Sequence, residues 1–477
     1  MSTKRNAAYN VAYRMFSVLL PLVTAPYLSR TVGREGVGLY SLAWSVSYIF
    51  CLIAMLGLNN YGVRAIAQVR ENREELDRTF SGIWQMQLMV AGITLLFWLG
   101  YVFCVAGEEK TIALHLTMMS VSCLFSFDWC LMGLDLFKSI ALRNTFVKCA
   151  AAACVFIFVK NKDDLWIYAF VWSLSTLLGN LSCAATLKGR VTFRPVSFRE
   201  SMKHLRPNAV LFISVMAISI YRTMDKVMVS VIAGVEENGL YENAEKIIYC
   251  LSGFISAIGT VMLPKISHMQ KKGETERIAR HIDRSMDLMI CMVSAMAFGV
   301  AAVADRFSPL FYGEEFAYSG TLMAPLGFTL IMIGFANVIR TQVVLPQERD
   351  SIFVKSVCCG AVVNLIANAC LIPGMKSMGA VVGTLLAELT VPVVQYLFLR
   401  KEQPYRRFMG YTLAYALLGG MMLACVRLAG RLLPAVTWVN LGIQTVTGIA
   451  VYGLLCLGYW KISGNGIRLN ALKRKKG

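Results

Sequence analysis

The chain has 477 residues, of which 57% are apolar and only 16% charged, and its mean hydropathy is +0.58. Soluble domains run at about 45–50% apolar and about 25% charged. The excess recurs as apolar stretches of about 20 residues, the length that crosses a bilayer, which excludes a soluble enzyme, a disordered chain and a secreted disulfide scaffold. The net charge of +19, from 47 Lys+Arg against 28 Asp+Glu, points to nucleic acid in a soluble protein but to orientation in a membrane protein.

Taken in order, the apolar stretches predict an all-α polytopic membrane protein with about 14 transmembrane helices. They lie at 9–29, 39–61, 80–105, 111–134, 139–159, 165–187, 207–232, 241–263, 286–304, 320–340, 356–373, 379–399, 408–428 and 437–460. The first carries Arg14, Pro21 and Pro26 without a small-residue cleavage pattern, so it reads as a retained span, not a cleaved signal. An even number of spans puts both termini on one side. Loops on that side hold 34 of the 47 Lys+Arg and the opposite loops 10, leaving Arg14, Arg222 and Lys226 inside spans. The excess marks the cytoplasmic side. The +19 is therefore mostly orientation, and no nucleic-acid partner is expected. Membrane lipids are, with Lys473-Arg474-Lys475-Lys476 as a last basic cluster near the head groups.

All fourteen Cys lie within spans or at their ends, which predicts small packing residues and no disulfide framework. His115, His204, His268 and His281 have no zinc-ligand spacing, so neither a metal nor a cofactor is expected. Residues 268–284, rich in Lys, Arg and Glu, read as a solvated cytoplasmic loop helix.

The chain repeats itself. Residues 33–43 read GREGVGLYSLA and residues 234–244 read GVEENGLYENA. Gly33, Glu35, Gly38, Leu39, Tyr40 and Ala43 thus recur as Gly234, Glu236, Gly239, Leu240, Tyr241 and Ala244. The same offset carries Arg64 to Lys265 and Arg70 to Lys271. Each unit holds six spans, an even number, so the repeats are parallel and related by an axis along the membrane normal. The expected organisation is an N-terminal six-helix lobe at 1–195 and a second at 196–400. Two additional helices and a basic tail follow at 401–477. Two matched lobes flanking a site form a transporter architecture.

Several polar residues fall where lipid tolerates them poorly. Arg222, Asp225 and Lys226 share one face of span seven, about 12–18 Å from Gly234 at 1.5 Å per residue. They read as an anion site, with the Arg222 fork suited to phosphate or carboxylate, or as a structural ion pair. Arg14, at the equivalent span of the first lobe, faces the same cavity or snorkels to the interface. Asp225, Glu388 and Asp128 are the ion-coupling candidates. Asn364 and Asn368 are placed to bond across helices, and Pro21, Pro26, Pro325 and Pro392 to interrupt spans. No catalytic residues are predicted. The longest outward loop, 305–319, is short, and no Walker A motif occurs.

Several motifs together resemble one family. They are YLSRTVG at 27–33 running into Gly38-Leu39-Tyr40, GVRAIA at 62–67, Asp128-Trp129 with Gly133 and Phe137-Lys138, Asp225-Lys226 followed by Gly239-Leu240-Tyr241, Leu263-Pro264, and Asn364 to Asn368 through Ile372-Pro373 to Gly379-Ala380. In order and spacing they resemble the polysaccharide-type (Wzx-like) flippases of the multidrug/oligosaccharidyl-lipid/polysaccharide exporter superfamily. The resemblance implies a bacterial cytoplasmic-membrane protein with its lobes in a V, moving an undecaprenyl-diphosphate-linked oligosaccharide repeat unit for surface polysaccharide biosynthesis. It implies Arg14, Arg222 and Lys226 in a cationic cavity, no cofactor, and polymerase or assembly proteins as partners. Such proteins often show an aromatic residue, Gln, Gly and Glu after Asp-Trp. Here the run is Cys130-Leu131-Met132-Gly133-Leu134-Asp135, so no sugar contact is carried onto Met132. Lipid II or sporulation-type flippases and ion-coupled multidrug antiporters of the same superfamily are the alternatives. A cationic surplus disfavours the antiporter.

Overall fold

The computed structural model describes residues 3–433 and 435–463; within helices, the side chains of 3–19, 137–139, 141, 210, 211, 213–215, 217, 218 and 220–222 fall outside that description. Every regular element among the described residues is helical: α1 (Thr3–Met55), α2 (Leu58–Val69), α3 (Arg73–Cys104), α4 (Lys110–Ser122), α5 (Asp128–Gly133), α6 (Phe137–Phe158), α7 (Leu165–Leu187), α8 (Phe198–Met202), α9 (Leu205–Ala233), α10 (Val235–Lys271), α11 (Thr275–Tyr312), α12 (Ala317–Leu326), α13 (Thr329–Ile339), α14 (Asp350–Leu399), α15 (Tyr405–Leu432) and α16 (Trp438–Ile462). Helices are what lipid demands, because they satisfy backbone N–H and C=O groups within one segment.

Nine helical stretches among the described residues are long and apolar enough to cross a bilayer. The number is ten if Glu314–Leu326 and Thr329–Val344, bent by 41° near Pro325, form one span. Both fall short of the expected fourteen. Two of the nine stretches, Leu20–Val69 and Asp350–Leu399, have 50 residues each, about 75 Å of helix against about 30 Å of hydrocarbon. Each contains a residue outside helical dihedrals, Gly33 in α1 and Lys376 in α14, and the first is interrupted again at Leu56 and Gly57, between α1 and α2. Pro21 and Pro26, expected to interrupt the first span, sit inside α1 instead. The expected loop helix at 268–284 is in fact the end of α10 and the start of α11, joined by a turn at Gly273.

The chain forms two compact units, Met1–Glu242 with Asn368–Ser377, and Asn243–Ala367 with Met378–Gly477. In the first, Leu58, Ile66, Phe80, Ile83 and Trp129 build a buried core. Gln87 ties it together: its Oε1 accepts from Trp129 Nε1 at 3.0 Å and its Nε2 donates to the Cys123 carbonyl at 2.6 Å. Helix α3 starts where the Asn72 side chain accepts from the amides of Glu74 and Glu75, a cap reinforced by two acids in the positive first turn.

The basic segment before α8 lies as a strap along α3. Amides of Thr192, Arg194 and Val196 donate to Asp77 Oδ1, Ser81 Oγ and Gln85 Oε1 at 2.8, 2.8 and 3.2 Å. Arg73 donates to the carbonyls of Gly189 and Arg190. Ser201 Oγ donates to the Gly82 carbonyl at 2.8 Å. His204 follows, its Nδ1 2.7 Å from Tyr61 Oη.

In the second unit α11 carries a buried stripe, Ile278, Ile282, Met286, Met289, Ile290, Val293 and Ala297, at helical spacing. Helix α15 runs parallel to it. Tyr411 Oη donates to Asp283 Oδ1 at 3.0 Å, and one turn on Tyr415 Oη donates to Asp287 Oδ1 at 2.7 Å. Further along, Arg306 donates to the carbonyls of Gly430 and Leu433. Helix α16 joins through Trp460 Nε1, which donates to Tyr415 Oη at 2.9 Å.

Candidate functional site

The repeated GLY motif marks a helix crossing inside the first unit. Gly33 and Gly234, equivalent by sequence, both adopt positive φ, 69° and 101°, where a side chain would be strained. One turn later the backbones of α1 and α10 meet. A side chain on Gly38 would strike the Val235 carbonyl, and one on Gly239 would strike that of Arg34. The two contacts are images of one another, since Val235 is the repeat partner of Arg34 and Gly239 that of Gly38. A local two-fold axis therefore passes between the two glycines.

Ser41 and Glu242 are also repeat partners, 201 residues apart, and they touch: Ser41 Oγ donates to Glu242 Oε2 at 3.0 Å. The same carboxylate oxygen is 2.7 Å from Lys226 Nζ, and both side chains are only slightly exposed, at 13% and 16%. The ammonium lies 6.0 Å from the Trp44 ring, which stacks on Tyr48. An ammonium about 12 Å along α9 from Gly234 is thus held by one carboxylate oxygen, which also accepts from a hydroxyl, and by an aromatic face.

Asp225 is the next residue and has different company. Its Oδ2 accepts from Tyr241 Oη at 2.9 Å and its Oδ1 from Asn368 Nδ2 at 2.6 Å. All three are buried, Asp225 to 2% exposure. The arrangement supplies two neutral donors to a carboxylate, which keeps a buried anion tolerable.

Arg222 and Arg14, the other predicted cations, lie outside the described residues. Asp128 opens α5 and pairs with Arg143 at 3.0 Å, joined by the Cys183 thiol at 3.2 Å. Glu388 is half-buried on α14 in the second unit. The structure thus brings Asp225 and Lys226 to one helix segment and gives Asp128 a separate polar cluster. Among the buried or nearly buried carboxylates that escaped the sequence reading are Glu242 beside Lys226 and Asp287 beside Tyr415. With Glu242 added, the formal charge of Arg222, Asp225, Lys226 and Glu242 is zero. The signal that finds Glu242 is its position opposite Ser41 in the repeat.

Comparison with known proteins agrees with this architecture. The family model described as "Polysaccharide biosynthesis protein" matches residues 3–270. Over 410 residues the chain is 23% identical to the "Putative O-antigen transporter" of Escherichia coli (strain K12), covering 84% of this chain and 98% of that protein. A protein of the same name from Shigella dysenteriae is 22% identical over 382 residues, covering 78% and 94%. Among solved structures, the lipid II flippase MurJ in an inward closed conformation aligns with a TM-score of 0.76 at 16% identity, over 96% of this chain and 99% of that one. An outward-facing multidrug resistance MATE family transporter of the MOP superfamily aligns at 0.59 and 15% identity, over 86% and 97%. These two likenesses bear on the fold, that of a polytopic helical membrane protein. With more than half of its length matched by the family model, the chain belongs to the polysaccharide biosynthesis protein family.

Proposed function

We propose that this chain moves an undecaprenyl-diphosphate-linked oligosaccharide from the cytoplasmic to the outer leaflet of a bacterial cell membrane by alternating access, with no catalysis of its own. The relatives named as O-antigen transporters support the substrate class. The loops rich in Lys and Arg then face the cytoplasm. The parallel repeat supplies two lobes, 1–195 and 196–400, to alternate, with 401–477 appended. Polysaccharide polymerase or assembly proteins receive the product.

The observation that carries this reading is the Lys226–Glu242 pair. An unpaired ammonium is expensive in a membrane segment, and a carboxylate of the same chain removes that expense while no substrate is bound. A diphosphate brings more negative charge and more acceptor oxygens than one carboxylate, so it takes the place of Glu242 on Lys226. Arg222, one helical turn away, adds a planar fork, and Arg14 a third cation. The undecaprenyl tail stays in lipid while the head crosses. Asp225, Asp128 and Glu388 are the candidates for ion coupling; Asp225 adjoins Lys226 directly.

Lys226→Ala and Arg222→Ala should each reduce surface-polysaccharide export about tenfold or more, the loss of one charged hydrogen bond worth about 1.5–3 kcal/mol. Lys226→Arg and Arg222→Lys should retain part of it. Glu242→Gln, which leaves Lys226 unopposed, should tighten binding of undecaprenyl diphosphate. Full export by Lys226→Ala at matched membrane levels would overturn the assignment. Mass spectrometry of lipids accumulated in a deletion strain separates this substrate from lipid II.

A further inference from the structure

A second cationic feature lies in the unit that begins at Asn243, where α10 turns into α11 at Gly273. Arg277, Arg280 and Arg284 follow one another at spacings of three and four, which puts their guanidiniums on one face of α11. Together with Met269, Glu274 and His281 they line a cavity of about 310 Å³. Met269 is buried, while the three arginines are exposed. Glu274 is the single carboxylate of the lining and sits 3.2 Å from Arg277. The cluster therefore keeps a cationic surplus. Burial, and then the charges of Lys265, Arg284 and Arg280, push the His281 imidazole below its usual range.

The cavity sits at the edge of the apolar surface. One turn beyond Arg284, Leu288 is exposed, and one turn before Lys265 on α10, Val261 is exposed. Exposed apolar side chains on both helices give way within a turn to Arg284 and Lys265, with Arg280 and Arg277 one and two turns further along α11. That is the depth at which lipid phosphates lie. Basic pockets at the cytoplasmic ends of membrane helices are suited to anionic lipid head groups, and guanidiniums to the oxygens of a phosphodiester.

We propose that Arg277, Arg280 and Arg284 bind the phosphate of an anionic phospholipid in the leaflet this end of α11 enters, with its acyl chains along Val261 and Leu288. The leaflet is the cytoplasmic one if the Lys/Arg bias sets orientation, but the site itself does not depend on the transported substrate.

The test uses the full chain reconstituted in phosphatidylcholine with added phosphatidylglycerol, reading lipid retention by native mass spectrometry. The native chain should retain phosphatidylglycerol over phosphatidylcholine, and an Arg280→Gln/Arg284→Gln variant should lose that retention by about tenfold or more. A Lys401→Gln/Arg406→Gln variant removes the same charge from another exposed turn and should retain the lipid as the native chain does. Equal loss in both variants, or none in the first, would overturn the site. Displacement of the lipid by inorganic phosphate alone would overturn its assignment to a lipid. Equal thermal midpoints of the three proteins in pure phosphatidylcholine exclude misfolding.

Discussion

Asp225 and Lys226 are adjacent, and adjacent residues on an α-helix point about 100° apart. One therefore meets Tyr241 and Asn368, the other Glu242 and Trp44. The sequence identifies both because they interrupt an apolar span. Glu242 stayed hidden because it stands among Glu236, Glu237 and Glu245, at the expected boundary of a span starting at 241. Helix α10 begins at Val235 instead, which carries Glu242 two turns inward. Asp287 was masked likewise by the charges before 286. A half-buried polar residue, His204, has a pH signature. Burial pushes the His204 imidazole below its usual range, with Glu200 opposing and Lys203 adding to the shift. The ring shares a hydrogen bond with the Tyr61 hydroxyl through Nδ1. A histidine whose folded value is depressed contributes stability that is complete above its unfolded value of about 6.5 and fades as pH falls through the folded one. The thermal midpoint should therefore drop more steeply below pH 6.5 in the native chain than in His204→Gln; parallel pH curves would contradict this.

At the scale of elements, the repeat in the sequence located the crossing of α1 and α10 but not its geometry. A shared GLY motif is compatible with any close packing. Only the structure shows that Gly38 and Gly239 each meet the other helix's backbone carbonyl. Neither carbonyl has a side chain's freedom to move aside, so the helices themselves must separate to admit a methyl group. Gly38→Ala should destabilise the protein by about 1–3 kcal/mol or more, the range for overpacking, and Gly239→Ala by a similar amount, read as a lowered thermal midpoint in detergent. Gly92→Ala, which has open space around it, is the matched control. The places of the helix breaks were legible, since the expected gaps at 30–38, 233–240 and 374–378 contain Gly33, Gly234 and Lys376; their form was not, because hydropathy windows assume a loop where single residues make the break.

For the whole molecule, composition alone identified a polytopic helical membrane protein, because every apolar segment contributes to it independently. Sidedness rests on a sum of charges over many loops and is an expectation for experiment. The count of spans was less legible: the expected fourteen divide each 50-residue stretch in two, at gaps that contain Gly33 and Lys376, whereas by helix length each stretch counts once. Orientation has a direct check. Lys271 and Lys272 are exposed at the turn between α10 and α11. Trypsin should cleave there in inside-out membrane vesicles and spare the site in right-side-out vesicles. The reverse pattern would invert the topology.

The strap on α3 works as a vernier. Two residues of extended chain advance about 6.6 Å, and four residues of α-helix about 6.0 Å. Alternate amides at 192, 194 and 196 thus find acceptors one turn apart at 77, 81 and 85, slipping by about 0.6 Å at each rung. The helix also rotates about 40° per rung, so the match cannot run far. Its limits are written in α3 itself. One turn before Asp77 stands Arg73, a donor, and there the polarity flips so that the strap offers carbonyls. One turn after Gln85 stands Met89, with no oxygen to offer. The strap leaves the helix at that point, with Ser197 capping α8. A linker with six basic residues in 188–206, which composition alone would call loose, is cut to a length of three rungs by the helix beneath it.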